Sequence, residues 1–348
     1  ADNADNLKLL LLSATPMYNS PKEIIALLNL MNRNDGRRTI RSDQVFDSSG
    51  NFLVSDNGLE IGRELLESQA QGYVSFVRGE NPYTFPYRIW PSNFEPKSSI
   101  HNNNKPTFKL NGSKLVDGIK TLDLFITRIA STQEAAYEYI MNRLNTGKNI
   151  VHIENDKLNY NMVQTPIQAL NIVYPHEDLS NNSGPIDLKE MVGKSGLDRI
   201  MSWKEEKSAT PKRDNFDYKD RDTYEDIFSP DKIGKYSSKI KTICDRVMNS
   251  DGVVLVYSQF IDGGLVPLAL ALEQLGFTRA RTKKTLFVEN RLPKNKTNLK
   301  YAMITGDKAF SPDNVEELRI VTQTKNMNGD FAKVVLISRA GSEGLDFK

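Results

Sequence analysis

The chain predicts an α/β protein built on a parallel sheet flanked by helices, and three observations carry that expectation. From Ser238 onward, short apolar runs alternate with helical stretches, the pattern of right-handed strand–helix–strand units. Each apolar run ends in a polar or glycine-containing turn, the place where a parallel sheet gathers ligands. The length of 348 residues fits two domains, and a hydrophobic content of 39% is enough for a core.

The elements follow in order. Leu7–Leu12 reads as a buried strand, ended by Ser13-Ala14-Thr15-Pro16 because proline cannot continue a ladder. Pro21 opens a helix with Ser20 as its N-cap and Ile24, Leu27, Leu28 and Met31 on one face. Asn34-Asp35-Gly36 closes this first block, residues 1–36. Residues 37–231 form a mixed α+β intermediate region, with short helices near Leu59–Ser68 and Thr132–Leu144 and short strands at Tyr73–Val77 and Tyr87–Trp90. Lys204–Asp226 is highly charged and reads as exposed. Residues 232–348 are the most regular block. A helix over Ser238–Met248 is followed by a strand at Val253–Ser258 and a helix with Leu265, Leu268, Leu272 and Leu275 on one face. Then come a strand at Tyr301–Thr305, a helix over Pro312–Gln323 and a strand at Lys333–Ser338.

Composition narrows the function classes. A net charge of +2 gives no global field for nucleic acid, so any such interface must be local. The single Cys244 excludes a disulfide framework, suits a reducing compartment and falls on an apolar helical stripe. His101, His152 and His176 are scattered and lack cysteine partners, which argues against zinc. No apolar run approaches the ~20 residues that span a bilayer, so no membrane role is expected.

Chemistry is concentrated in the strand-end turns. Ser258 and Gln259 offer a hydroxyl and an amide, followed by Asp262-Gly263-Gly264. Thr305-Gly306-Asp307 is followed by Lys308, where glycine permits close approach and lysine supplies charge. Ser338 to Asp346 is the strongest motif, with Gly341 and Gly344 freeing the backbone. Val192-Gly193-Lys194-Ser195-Gly196 is not a phosphate loop, because GxxxxGK[ST] needs a glycine where Leu188 stands. The basic stretch Arg279–Lys296 is read first as a solvated surface and second as a nucleic-acid contact.

The pieces LLLLSATPMYN (Leu9–Asn19), LVYSQF (Leu255–Phe260), AMITGD (Ala302–Asp307) and VVLISRAGSEGLDF (Val334–Phe347) fall in a telling order. They resemble motif III, motif IV, the next strand-turn and motif V of a superfamily-two helicase motor. Ser258-Gln259, Thr305-Gly306-Asp307 and Arg339-Ala340-Gly341 resemble the Snf2-like branch, whereas Glu343 departs from its apolar residue. SPKEI (Ser20–Ile24), YVSFVRGENPYTFPYRIWP (Tyr73–Pro91) and GKYSSKIKTICDR (Gly234–Arg246) resemble the helicase-like early transcription factors of nucleocytoplasmic large DNA viruses.

That resemblance implies a RecA-like second lobe over 232–348, the last edge of a first lobe over 1–36, and an insertion between them. It implies that Ser13, Ala14 and Thr15 couple the lobes, and that Gly341, Gly344 and Asp346 approach ATP. Ser258, Gln259, Thr305, Gly306, Lys308, Ser338 and Arg339 would meet nucleic acid, DNA in preference to RNA. The phosphate loop and the magnesium carboxylates are expected before Ala1 and an arginine motif after Lys348. The chain is then a middle piece that holds no magnesium ligand and is inactive alone. Viral RNA polymerase is an implied partner, and a virion or a cytoplasmic viral factory an implied location. The competing reading is a non-catalytic initiation module that binds DNA and polymerase through a helicase fold.

Overall fold

The computed structural model describes residues 7–13, 16–75, 87–103, 105–108, 114–115, 122–129, 131–146, 160–181, 185–206, 213–224, 226–281 and 285–339. The chain forms two compact units, Ala1–Arg88 and Ile89–Lys348.

In the first unit, the Ser20 hydroxyl accepts from the Lys22 amide at 3.2 Å and starts a helical turn at Pro21. Helix α1 (Ile24–Asn34) follows, and α2 (Ile61–Ala70) packs with it. Ile25 packs with Ile40, Val45 and Phe46, and Leu28 is buried beside it on α1. The buried stripe of α1 is Ile25, Leu28 and Asn32, rotated by about one residue from the expected face. The cause is polar: Asn32 donates to Gln69 at 3.2 Å, while Asn29 exchanges two hydrogen bonds with the Ile40 backbone. The strand expected at Leu7–Leu12 does not form, and Leu10 and Leu12 are 77% and 85% exposed. A strand exists only by pairing, and no described segment pairs with it.

The strand expected at Tyr87–Trp90 does not form, and these residues have no regular structure; the second unit's first helix is the single turn α3 (Pro91–Phe94). Helices α4 (Ser131–Thr146) and α5 (Tyr160–Ala169) share a small core of Ala136, Ile140, Ala169 and Val173. After the short α6 (Glu177–Asn181) comes α7 (Gly193–Ile200), which runs directly into an antiparallel hairpin of β1 (Met201–Glu206) and β2 (Arg213–Tyr218). This hairpin occupies the stretch read as exposed charge. Phe216 and Tyr218 alternate inward and bury in the main core, which charge counting over Lys204–Asp226 concealed. Two short turns, α8 (Arg221–Tyr224) and α9 (Ile233–Tyr236), lead to α10 (Ser238–Met248), whose N-terminus is capped by the Ser237 hydroxyl.

The sheet has four parallel strands in the order β3-β6-β5-β4: β3 (Val254–Tyr257), β4 (Thr278–Arg279), β5 (Lys300–Ile304) and β6 (Val334–Ile337). Helix α11 (Val266–Gln274) joins β3 to β4, and α12 (Asn314–Thr322) joins β5 to β6. The α/β parallel architecture anticipated from the alternating pattern is present. Helix α11 is buried all round, from Val266 to Glu273, rather than along one leucine stripe. The sheet and residues Ile172–Phe228 enter one continuous core with it.

Candidate functional site

Parallel strands put all their carboxyl ends on one edge. Because β3, β6 and β5 are neighbours, the turns after them are neighbours too. The ladder continues into those turns: the Ser258 N–H donates to Ile337 O and the Ser338 N–H to Ile304 O, each at 3.1 Å. Ser258, Ser338 and Thr305 therefore form a row across the edge.

Each turn is built by its own small residues. The Ser258 hydroxyl accepts from the Phe260 amide at 3.2 Å and donates to the Phe260 carbonyl at 3.1 Å. A Cβ on Gly264 would lie 2.4 Å from that hydroxyl, so glycine is what lets the turn Ile261–Leu265 close over Ser258. Gln259 is exposed at the tip. Thr305 is 1% exposed, and its hydroxyl bridges the Asp307 amide and carbonyl at 3.2 and 3.1 Å. Ser311 and Asn314 add bonds to the Thr305 amide and carbonyl at 3.1 and 2.7 Å. Thr305, assigned to nucleic acid from the motif, thus builds the turn, because its hydroxyl is already bonded at both ends. The exposed atoms of that turn belong to Gly306, Asp307 and Lys308. Ser338 is 3% exposed and Arg339 is exposed.

Of the remaining expected site residues, Ser13 is exposed in the first unit, and Ala14, Thr15, Gly341, Gly344 and Asp346 lie outside the described residues. No group of three or more His, Cys, Asp or Glu among the described residues could hold a metal ion. Cys244 is buried, and burial pushes its thiol up to about 12, which makes it an inert core residue.

Motif reading missed two features. First, the region before α10 reaches the strand edge. The Tyr174 hydroxyl donates to the Asp262 carbonyl at 2.8 Å, and Gly193 Cα lies 3.3 Å from where a Gly263 Cβ would be. Trp203 of β1 meets Phe310, just past the Thr305 turn, edge-on at 5.0 Å. Burial raises the Asp262 carboxyl; Lys194 opposes this, and Asp198 and Asp307 reinforce it. Second, the basic stretch is partly internal. Arg279 is 8% exposed, donating to Phe310 O at 2.8 Å and pairing with the buried Glu317 at 3.3 Å. Arg291 pairs with Asp217 at 2.8 Å. The apolar pair Leu286 and Phe287 among the charges was a signal for the second; the first joins residues 88 positions apart and had none.

No family model matches the chain. It is 25% identical, over 99% of its own length, to a proposed ATP-dependent RNA helicase of Acanthamoeba polyphaga mimivirus, of which it covers 46%. A second proposed ATP-dependent RNA helicase of that virus is 36% identical over 25% of this chain and 7% of the relative. A homologue of termination factor NPH-I from African swine fever virus is 28% identical over 32% of this chain and 19% of the relative. The chain is therefore similar to helicase-like proteins of large DNA viruses, and it spans about half the length of the relative that it matches throughout.

Proposed function

We propose that this chain carries the second lobe of an ATP-driven nucleic-acid helicase or translocase that acts in viral transcription. The observation that carries this reading is the row of polar turns on one edge of a parallel sheet, in a chain that aligns nearly end to end with a viral helicase-like protein. Lys308, Gly306, Gln259 and Arg339 meet the phosphodiester backbone, with Ser258, Thr305 and Ser338 shaping the turns. Contacts of that kind fix position without reading sequence. Gly341, Gly344 and Asp346 face ATP, and Ser13-Ala14-Thr15 relays nucleotide state between lobes. ATP supplies the driving phosphoryl transfer, with magnesium held by carboxylates outside this chain. The chain's own task is positioning and electrostatics. The likeness to a termination factor supports a role in transcription; DNA as the track and viral RNA polymerase as the partner are our own reading, set against two relatives whose names say RNA helicase.

The test is a pair of variants in the longer motor. Asp346→Ala removes a charge-assisted hydrogen bond worth about 1.5–3 kcal/mol and should lower ATP turnover roughly tenfold to hundredfold, with binding retained. Lys308→Ala should weaken oligonucleotide binding and reduce the salt slope by about one, with basal turnover retained. The opposite partition would refute the division of labour. ATPase stimulation by DNA but not RNA would fix the substrate.

A further inference from the structure

We propose that Tyr174 is a positioning residue for the turn after β3, so that the region preceding the sheet sets how that turn presents Gln259 to nucleic acid. This deepens the reading above and rests on it.

The geometry is continuous from Tyr174 to the edge. Tyr174 is 1% exposed, and its amide donates to Met191 O at 2.8 Å, which ties its backbone to the turn just before α7. A Cβ on Gly196 would stand 2.4 Å from Tyr174 Cδ2, so glycine there makes room for the ring. From this socket the hydroxyl donates to the carbonyl of Asp262 at 2.8 Å, across 88 residues of sequence. That carbonyl belongs to the turn Ile261–Leu265. Next to it, Gln168 Oε1 lies 2.9 Å and Gly193 Cα 3.3 Å from where a Gly263 Cβ would be, so two backbones are in direct contact. Gly264 in turn approaches Ser258 so closely that a Cβ there would stand 2.4 Å from the Ser258 hydroxyl. A shift at Asp262 is therefore passed toward Ser258 and Gln259 through Gly263 and Gly264, positions at which a Cβ would lie within 2.9 Å of a neighbouring side chain. Trp203 against Phe310 braces the neighbouring turn from the same region.

Tyr174→Phe keeps the ring and removes one hydrogen bond. In the 348-residue chain, affinity for a fluorescein-labelled oligonucleotide, single-stranded or duplex, is measured by anisotropy at fixed low salt. Both Tyr174→Phe and Gln259→Ala should weaken binding about two- to tenfold, the effect of losing a single hydrogen bond. The double variant should be no weaker than the worse single one, because residues acting as a unit are non-additive. The unfolding temperature of Tyr174→Phe should fall only by about 2–4 °C, so that binding is compared between folded proteins. A purely structural tyrosine predicts that same thermal shift with unchanged binding, which would overturn the proposal. Additive losses in the double variant would overturn it as well. If the wild-type chain does not bind, or Gln259→Ala binds normally, the reading of the edge fails and takes this proposal with it. If Gln259→Ala weakens binding and Tyr174→Phe does not, the positioning role alone fails.

Discussion

At the residue scale, Glu273 shows how a buried charge can organise a fold without taking part in its chemistry. Its carboxyl is fully buried in α11. It accepts from the Leu286 and Phe287 amides at 2.6 and 2.8 Å and from the Tyr301 hydroxyl at 2.6 Å. Three donors from the loop after β4 and from β5 therefore converge on one helix position. Burial pushes the carboxyl up to about 7, against the downward pull of Tyr301, Phe287, Leu286 and Arg279. The native state then holds this proton more tightly than the unfolded chain does. Stability from this group is fully present below the ordinary value of 4.5 and is lost as pH rises through about 7. Glu273→Gln removes the titration. Relative to wild type it should gain stability between pH 5 and pH 7.5, by at most on the order of 3 kcal/mol, read by urea unfolding at each pH. A constant difference across that window would show that Glu273 does not titrate there. Glu273→Ala should cost about 3–5 kcal/mol below pH 5, because three buried donors lose their acceptor, and this cost should shrink as pH rises through about 7, as the wild type loses the same proton-linked stability.

At the element scale, the hairpin β1–β2 is the informative case. Trp203 meets Phe216 edge-on at 4.3 Å and Phe310 at 5.0 Å, which joins the hairpin to the turn after β5. Trp203→Ala should destabilise the second unit by about 3 kcal/mol in chemical denaturation. An effect below about 0.5 kcal/mol would mean that the hairpin is an independent appendage. The hairpin also shows what the sequence made legible. The strands at Val254, Lys300 and Val334 were readable because their runs are almost wholly apolar and end in marked turns; β5 and β6 are buried on both faces, whereas the edge strand β3 leaves Leu255 and Tyr257 exposed. The hairpin was not, because charged residues stand between its apolar ones, and one of them, Asp217, is buried in a pair with Arg291 that lies 74 positions further along the chain. Strand β4, only two residues long, carries too little pattern to be seen. The opposite error occurred at Leu7–Leu12, where an apolar run suggested a strand that pairs with nothing described. In the candidate site, the row of turns was visible in advance, but the burial of Thr305 and the contact from Tyr174 were not. Both depend on residues far apart in sequence, such as Asp262 lying 88 positions beyond Tyr174.

At the scale of the whole molecule, the question is what the chain can do alone. ATP hydrolysis needs a loop whose backbone amides and lysine cradle the β- and γ-phosphates. The nearest candidate, Gly193-Lys194-Ser195, has Leu188 at the position of the required glycine. Its surroundings confirm the mismatch. Leu188–Met191 is a tight turn rather than the end of a strand in the sheet. The space beside Gly193 is taken by the Gln168 side chain, 2.4 Å from where a Cβ would be, and Gly193 abuts Gly263. This glycine serves packing between α7 and the turn after β3, with no room over it for a phosphate. The purified chain should therefore show no nucleic-acid-stimulated ATP hydrolysis above a mock preparation. It should still bind oligonucleotides with an affinity that falls as salt rises, because exposed Lys308 remains on the strand edge. Lys194→Ala should leave the absence of turnover unchanged, a further check that this lysine is no phosphate-loop residue. A measurable ATPase rate abolished by Lys194→Ala would overturn both the motif accounting and the packing role assigned to Gly193.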